Sequence, residues 1–270
     1  MLRPVRSGVQ SIDRVVAILR CFDARHSELG ISEIGRLTGL STSTTHRLLL
    51  AMQANHLVRQ TPNRRWGLGP LLTQLARSGA LPTTLRDAAW PFMVALRDEV
   101  DETVAVHELV GSGERVVLDQ VESRQELRRT YTEIGMPIPL PHGAPGKAIL
   151  SALPTETQDR WLARPIRKVT PVTITDPDEL RAQLAETRTR GYASSDAERT
   201  PGIRSVAAPV FDHTGAVIGA VGVSVPAIRM DDERAADIGR RTGELAVEVS
   251  RVLGATEDLV ERSIAAAGGR

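Results

Sequence analysis

The feature that most constrains the fold is a run of three short helical segments near the start of the chain, with almost no chain between the second and the third. Residues 12–22 carry apolar side chains at helical spacing. Ser32 can cap a second helix, which ends at Gly39, a residue type that readily adopts the left-handed conformation of a helix C-terminus. Ser41 can cap a third helix that runs to about Asn55. This spacing predicts two helices that meet at a tight turn.

The third helix is amphipathic, with one packed side and one open side. Two short strands, residues 57–60 and 66–68, are predicted after it. Helix, helix, tight turn, helix and hairpin is the order of a winged helix-turn-helix, so we expect this fold over residues 9–68. The stripe expected to be buried recurs at positions i, i+3, i+4 and i+7 and consists of Thr45, Leu48, Leu49 and Met52.

Charge is distributed unevenly along the chain. The formal net charge of all 270 residues is +1, but residues 1–78 contain eleven arginines, no lysine and four acidic residues, which gives +7. The rest of the chain is correspondingly acidic. This asymmetry favours a polyanion as the partner of the first segment. A basic face that contacts only solvent explains the same numbers, and charge alone does not separate the two interpretations.

Several sequence features bear on the compartment. Cys21 is the single cysteine, so the chain has no internal disulfide, and a reducing environment fits. The N-terminus lacks the apolar stretch of a signal peptide, and no apolar run of about 18 residues could span a bilayer. We therefore expect a soluble, cytoplasmic protein with no membrane partner.

After residue 68 the pattern changes to a mixture of strands and helices. A linker helix and hinge are expected at residues 69–82, because Gly79 and Pro82 interrupt the helical spacing. The order that follows favours an α+β domain built on an antiparallel sheet over residues 83–254, with a C-terminal tail, residues 255–270, whose last residues are expected to fray. The individual predictions are helices at 83–100, 146–152, 155–163, 177–190 and 231–253 and strands at 103–109, 114–121, 128–134, 206–211 and 216–225.

The open side of the third helix carries the side chains expected to meet DNA. In a helix-turn-helix the second helix of the motif enters the major groove with its N-terminal residues at the base edges. Hydroxyl groups and free backbone N–H groups at a helix start suit phosphate oxygens, and an arginine can reach a phosphate or a guanine edge. The expected DNA-binding residues, the last two at the hairpin tip, are Ser41, Thr42, Ser43, Thr44, His46, Arg47, Arg64 and Arg65. The alternative is that Ser41 only caps the helix and the arginines are ordinary surface residues.

Three fragments of the second domain invite an enzymatic interpretation, and none meets its pattern. Gly146 and the lysine after it resemble a phosphate-binding loop, but Ala148 stands where Ser or Thr is needed and Pro141 where Gly is needed. The stretch that ends at Pro226 begins like a nucleophile elbow but lacks its final Gly. The histidines of this domain have no paired spacing for zinc: His107, His142 and His213. We therefore expect no catalytic residue, no metal and no cofactor.

Seven stretches of the chain stand in a specific order over about residues 9–253: VQSIDRVVAILRCF, ISEIGRLTGLSTSTTHRLLLAM, NHLVRQTPNRRWGLG, GERVVLDQVES, GMPIPLPHGAPGKAIL, RGYASSDAERTPGIRSVAAPV and GAVIGAVGVSVP. In this order they resemble the IclR family of bacterial transcriptional regulators. The resemblance implies a winged helix joined by a linker helix to a GAF-like α/β effector-binding domain with an antiparallel sheet. It also implies assembly into homodimers or homotetramers.

The resemblance also implies where a small molecule binds. The turn at residues 143–146 opens a helix whose free N–H groups suit a carboxylate, although a simple helix start is the plain alternative. In the family this loop and the facing strands line the effector site. Carried over position by position, the implied pocket residues are Ala144, Pro145, Ser195, Ser205, Gly222 and Ser224.

The chain departs from the usual family pattern at this pocket. Pro141 stands where the loop often has His, Ser195 where Asp is frequent, Ser205 where Cys is frequent, and Gly222 where Ser is frequent. The implied pocket is smaller-walled and less acidic, which eases binding of an anion by removing like-charge repulsion. Strand alternation allows one of the arginines at 128 and 129 to face inward. The expected effector is a small organic or aromatic acid.

The sequence therefore predicts a regulator that binds operator DNA through its first domain and an effector through its second. The alternatives are a metabolite-binding protein or enzyme whose first domain only mediates dimerisation, and a DNA-binding scaffold without a ligand. Effector identity, operator sequence and the choice between repression and activation are not set by the sequence.

Overall fold

The chain forms two compact units, residues 1–81 and residues 82–270. The computed structural model describes residues 9–22, 26–78, 84–111 and 113–268. The hinge expected at residues 79–82 lies outside the described residues. Each unit has its own core and is described by itself below.

The N-terminal unit is the winged helix-turn-helix that the sequence predicts. Ile18, Ile34 and Leu49 are fully buried, and Met52 and Trp66 are about 2% exposed, so the backs of the helices and the hairpin share one apolar core. The elements are α1 (Gln10–Leu19), α2 (Ile31–Thr38), α3 (Thr42–Ala54), β1 (Val58–Gln60), β2 (Trp66–Leu68) and α4 (Pro70–Arg77).

The caps of α2 and α3 differ from each other. Ser41 caps α3 as expected, and its Oγ accepts a hydrogen bond from the Thr44 N–H at 3.3 Å. The prediction that Ser32 caps α2 is wrong, because Gly30 is the N-cap and Ser32 lies within the first turn. The Glu33 carboxylate accepts the Gly30 N–H at 2.6 Å, so an acidic side chain from inside the helix satisfies the N-terminal amide instead.

The hairpin packs closely on the chain that precedes it. Val58 pairs with Leu68 across the two strands, and on the other edge the backbone of Leu29 exchanges two 2.8 Å hydrogen bonds with Trp66. A Cβ at Gly69 would lie 2.2 Å from the carbonyl oxygen of His56. Only glycine therefore lets the chain leave β2 at this point.

The C-terminal unit is the α+β domain that the sequence predicts. Its elements are α5 (Leu85–Val100), β3 (Thr103–Val110), β4 (Glu114–Val121), β5 (Ile138–Pro139), α6 (Gly143–Ala152), α7 (Thr155–Leu162), α8 (Pro177–Arg190), β6 (Ala193–Asp196), β7 (Ile203–Phe211), β8 (Val217–Pro226), α9 (Asp232–Val252) and α10 (Glu257–Gly268). The strands form a six-stranded sheet in the order β5-β4-β3-β8-β7-β6, and every neighbouring pair is antiparallel.

The two faces of this sheet carry different side chains, as the alternation along a strand requires. On one face Val221 and Val223 of β8 pack against α5 and α9. On the other face small residues such as Ala207 and Ala220 pack against α6. A Cβ at Gly222 would lie 3.4 Å from Pro145 Cγ of α6, so the small residues let the start of that helix approach the sheet.

The strand predicted at residues 128–134 is not formed. Of these residues only Ile134 makes a bridge, with Val117. The Gln120 side chain takes the place of a neighbouring strand, because its Oε1 accepts the Tyr131 backbone N–H at 2.8 Å and its Nε2 donates to the Tyr131 backbone carbonyl at 3.0 Å. The short β5 pairs with the edge of β4 instead.

The end of the chain is more ordered than the sequence suggests. Residues expected to form a tail fold into α10, and Ala267 of this helix is 2% exposed. The Gln158 side chain donates a hydrogen bond to the Ala267 carbonyl at 2.8 Å, so the last turn is tied to α7. Within the described part of the chain, no helix is long and apolar enough to cross a membrane.

Candidate nucleic-acid interface and ligand pocket

The recognition surface on α3 is set by which side of the helix enters the core. Thr45 and Leu49 are fully buried, and the Thr45 hydroxyl donates to the Ser41 carbonyl at 3.0 Å, so its polar atom is satisfied. The opposite side consists of the exposed residues Thr42, Ser43, His46, Arg47 and Leu50. The predicted orientation of the helix is the one observed.

The first turn of α3 gathers three hydroxyl groups. The Ser41 Oγ lies 3.1 Å from the Ser43 Oγ and donates to the Thr44 Oγ1 at 2.9 Å. Hydroxyls beside the unsatisfied N–H groups of a helix start form a surface that suits a phosphate oxygen. In the described part of the chain Arg47, one turn further on, makes no ion pair, so its guanidinium is open to a ligand.

The two arginines of the wing have different surroundings. Arg64 is exposed at the tip, with a left-handed backbone (φ 56°). Arg65 turns back, pairs with Glu33 at 2.8 Å and donates to the Glu28 carbonyl at 3.0 Å. The hydrogen bond from Gly30, together with the charge of Arg65, lowers the pKa of Glu33. Arg65 therefore holds the wing on α2, whereas Arg64 is the open one.

The hairpin carries a further exposed arginine that was not predicted from the sequence. Arg59 lies on β1 next to the buried Val58 and is exposed. Alternation along the strand was the signal that could have identified it, because Val58 faces the core and the next side chain must face outward.

The serines predicted for the ligand pocket form a row across three strands. Ser195 of β6 pairs with Ser205 of β7, and Ser205 pairs with Ser224 of β8. The Ser224 Oγ lies 2.8 Å from the Tyr131 hydroxyl. A Cβ at Gly146 would lie 1.7 Å from the Leu140 oxygen, so glycine is needed where α6 passes the chain that leads into it.

The three serines and Tyr131 line an inner pocket of about 20 Å³. It opens next to an outer pocket of about 400 Å³, and the two share Arg129, Arg199 and Thr200. Of the residues predicted for the site, Ala144 is fully buried and Gly222 lies behind Pro145, so neither lines the inner pocket. The inner walls are Arg115, Arg129, Tyr131, Gly143, Pro145, Ser195, Arg199, Thr200, Ile203, Ser205 and Ser224.

Arg115 belongs to this site but was not predicted from the sequence. It is unusual because its charged side chain is buried without a carboxylate partner among the described residues. It is about 1% exposed, and it donates to His107 Nδ1 at 2.9 Å and to the His142 carbonyl at 3.0 Å. Among the described residues no carboxylate pairs with it, and its Nε has no partner. Burial, aided by the charge of Arg199, lowers the pKa of Arg115 to about 9. Burial, aided by Arg115, also lowers the pKa of His107, so this imidazole is neutral and can accept from the arginine.

The other two arginines of the pocket share a single carboxylate. The Glu133 Oε1 lies 2.7 Å from Arg199 Nη2 and 3.2 Å from Arg129 Nη2. Burial alone raises the pKa of Glu133, but the hydrogen bond and charge of Arg199 and the charge of Arg129 outweigh it and lower the pKa to about 2. Arg129 also stacks on the Tyr131 ring, with 4.6 Å to its centroid. The neighbouring arginine, Arg128, pairs with Glu122 outside the pocket.

Lys147 is part of the scaffold of this site. Its Nζ lies 2.6 Å from the Glu198 carboxylate and 2.6 Å from Gln183 Oε1, and the lysine is buried. Burial lowers the pKa of Lys147, and the charge of Glu198 opposes this effect. The pair ties the connection that carries Arg199 to α6. Within the described residues no group of three His, Cys, Asp or Glu side chains could hold a metal ion.

A larger cavity of about 440 Å³ lies elsewhere in the C-terminal unit, between α8, α9 and α10. Apolar side chains such as Phe211, Val260 and Ile264 form most of its wall. The charged residues at its rim include Arg240 and Arg251, which are paired with their own acids. It lacks the convergent polar groups of the inner pocket, which is therefore the better candidate for a site that recognises a polar ligand.

Comparisons with known proteins find matches for both units of the chain. Residues 11–62 match the family model of the IclR helix-turn-helix domain, and residues 81–251 match that of the C-terminal domain of bacterial IclR transcriptional regulators. The transcriptional repressor IclR of Escherichia coli is 32% identical over 254 residues, which cover 93% of this chain and 92% of the relative.

Two solved structures have a similar fold. An IclR transcriptional regulator from Silicibacter is 27% identical with a TM-score of 0.71, and the match covers 91% of this chain and 96% of that one. An IclR homologue from Microbacterium hydrocarbonoxydans, complexed with 4-hydroxybenzoate, is 25% identical with a TM-score of 0.57 and a match that covers 91% and 100%. The E. coli relative is named a transcriptional repressor, and the Silicibacter structure is named a transcriptional regulator. The chain belongs to the IclR family of bacterial transcriptional regulators.

Proposed function

We propose that the protein is a repressor whose hold on an operator is controlled by a small organic acid bound in the inner pocket. The observation that carries the proposal is the front of α3, where three clustered hydroxyls and the unpaired Arg47 are exposed while the back of the helix lies in the core. Repression is proposed because the E. coli relative is named a repressor. Because a repressor must reach the chromosomal DNA, the protein is proposed to act in the bacterial cytoplasm.

The hydroxyl groups of Ser41, Ser43 and Thr44 are proposed to bind the phosphate backbone and so to set the register of α3 in the major groove. Arg47 then reaches a base edge, and Arg64 reaches the backbone beside the wing. A homodimer would present two α3 helices to half-sites about 34 Å apart on a nearly palindromic operator. Tetramers would join two such dimers.

The acid is proposed to bind at Arg115, Arg129 and Arg199. Three guanidinium groups line a pocket in which Glu133 is the only carboxylate that pairs with any of them among the described residues. The Microbacterium relative holds 4-hydroxybenzoate, an acid of the expected class. Its carboxylate suits the arginines, and a ring hydroxyl suits the row Ser195, Ser205 and Ser224.

The DNA part of the proposal is tested by fluorescence anisotropy on a duplex from the chain's own promoter region and on a scrambled duplex. Arg47→Ala should weaken binding to the promoter duplex by about 1–3 kcal/mol and binding to the scrambled duplex much less. Arg262→Ala is the matched control, because this arginine is exposed on α10 and paired with Asp258 at 2.8 Å.

Equal losses on both duplexes would make Arg47 a phosphate contact. A wild-type chain that ignores both duplexes at low salt would refute the repressor proposal, since several arginines should bind a duplex strongly under that condition. Addition of small acids to the wild-type complex then tests release, with 4-hydroxybenzoate as the first acid.

A further inference from the structure

We infer that Glu133 is a built-in counter-ion that holds the pocket arginines in place of the effector, and that the carboxylate of the effector displaces it. This inference rests on the proposal that the inner pocket takes a small organic acid. Arg115, Arg129 and Arg199, which line this pocket, form an arginine cluster.

The charges of the arginine cluster are not balanced by the protein. One carboxylate oxygen, Glu133 Oε1, serves both Arg129 and Arg199, at 3.2 Å and 2.7 Å. Glu198, an acid of the same connection as Arg199, is paired with Lys147 at 2.6 Å. Arg115 is left with uncharged acceptors only. A buried cation without an anion is costly, so the cluster favours the arrival of a second negative charge.

Glu133 stands where the two pockets meet. It lines the outer pocket of about 400 Å³ and is absent from the walls of the inner one, whereas its two partners line both. The inner pocket, at about 20 Å³, has room for little more than one water molecule. An acid that enters from the outer pocket therefore meets Arg129 and Arg199 while both are paired with Glu133. It can enter the inner pocket only when Glu133 separates from the two arginines and enlarges the space between them.

The Glu133 bridge is a side-chain link between two connections of the chain. Glu133 belongs to the connection between β4 and β5, and Arg199 to that between β6 and β7. Close to Glu133 the Gly135 N–H donates to the Val117 carbonyl at 2.9 Å and the Met136 N–H donates to the Glu133 carbonyl at 3.2 Å, and neither bond uses the Glu133 side chain. Parting the bridge breaks no strand pairing. The arginines exchange one carboxylate for another, so the step needs little free energy.

The inference predicts how the pocket discriminates between ligands. A carboxylic acid can replace Glu133 on the arginines, whereas the corresponding amide has no charge with which to displace it. Removal of the Glu133 charge should therefore tighten the binding of acids, which is the opposite of what removal of a direct ligand contact would do.

The first test is isothermal titration of the full chain and of Glu133→Gln with 4-hydroxybenzoate and with 4-hydroxybenzamide. We expect the variant to bind the acid about tenfold more tightly, because its internal competitor is gone, and to bind the amide no more tightly than the wild type does. Glu122→Gln is the matched control, since Glu122 pairs with Arg128 at 2.8 Å on the same connection but outside the pocket. It should leave the affinity unchanged.

The second test is chemical rescue, which needs no knowledge of the natural effector. Glu133→Ala should melt at a lower temperature than the wild type, and millimolar acetate should restore most of the difference. Acetate should not raise the melting temperature of Glu122→Ala. Inorganic phosphate, added in parallel, shows whether any small anion suffices; rescue by both anions still supports the inference.

The outcomes separate this inference from the proposed function. If the wild type binds 4-hydroxybenzoate and Glu133→Gln binds it equally or more weakly, the counter-ion role is wrong and the acid-binding pocket stands. If only the variant binds it, the inference is supported in its strongest form. If neither protein binds 4-hydroxybenzoate and acetate does not raise the melting temperature of Glu133→Ala, both the counter-ion role of Glu133 and the acid-binding pocket are wrong.

Discussion

Two single substitutions, Arg115→Met and Lys147→Met, test whether each buried cation contributes to ligand binding or to the stability of the fold. Both side chains are about 1% exposed. Lys147 has the Glu198 carboxylate at 2.6 Å, whereas Arg115 has only His107 Nδ1 and the His142 carbonyl. The two variants therefore remove the same charge from opposite electrostatic surroundings.

For Arg115 two effects oppose each other. Burial, with Arg199, lowers the pKa from 12.5 to about 9, and at roughly 1.4 kcal/mol per unit the charged form is disfavoured by about 5 kcal/mol. Methionine removes that penalty but leaves two buried acceptors without a donor, at about 1–3 kcal/mol each. Together these terms place Arg115→Met between about 3 kcal/mol more stable and about 1 kcal/mol less stable than the wild type in free energy of unfolding.

For Lys147 the loss of the counter-ion of Glu198 outweighs the relief of burying the lysine. Lys147→Met leaves the Glu198 carboxylate buried without its cation, which should lower the free energy of unfolding by about 3–5 kcal/mol. Scanning calorimetry with and without 4-hydroxybenzoate measures both quantities. Arg115→Met should keep its stability and lose the stabilisation by the acid. If it were destabilised as much as Lys147→Met, the view of Arg115 as a ligand-binding charge would be wrong.

Two further predictions concern stability. Leu49→Ala should lower the free energy of unfolding of the N-terminal unit by about 2–5 kcal/mol, whereas Leu50→Ala on the exposed side should change it by less than about 0.5 kcal/mol; similar losses in thermal melts of the two variants would contradict the orientation of α3. The pKa of Glu133 falls from 4.5 to about 2 on folding, so its contribution to stability is complete above pH 4.5 and is lost as the pH falls towards 2. The melting temperatures of wild type and Glu133→Gln should differ by a constant amount at neutral pH and converge in acid, and a gap that persists at pH 2 would count against the ion pair.

The sequence predicts best what is set by neighbours along the chain. The Ser41 cap and the buried stripe of α3 depend on spacings of three and four residues; the cap is observed, and of the stripe Thr45, Leu49 and Met52 are buried while Leu48 is half-buried. The cap of α2 was assigned to Ser32 because serine is the commoner N-cap, and the Glu33 side chain that replaces it competes from inside the helix. Local rules identify the end of a helix more reliably than the group that satisfies it.

Contacts between segments that are distant along the chain could not be predicted from the sequence pattern. The row of serines was expected only through the family resemblance, and strand register then brings Ser195, Ser205 and Ser224 together. Arg115 lies on a strand where an isolated arginine is unremarkable, and its burial depends on α6 crossing above it. The strand expected at residues 128–134 failed because the Gln120 amide imitates a neighbouring strand, which no period of two reveals.

The pocket has a serine end and an arginine end, and the two ends differ in the ligand groups that they can accept. Each hydroxyl can rotate to donate or to accept, so this wall can adjust to a phenol, an ether or a ketone without a change of sequence. The arginine end cannot invert its polarity in this way. Descendants of such a protein could switch among related acids through single substitutions along the hydroxyl wall while the demand for a negative charge stays fixed.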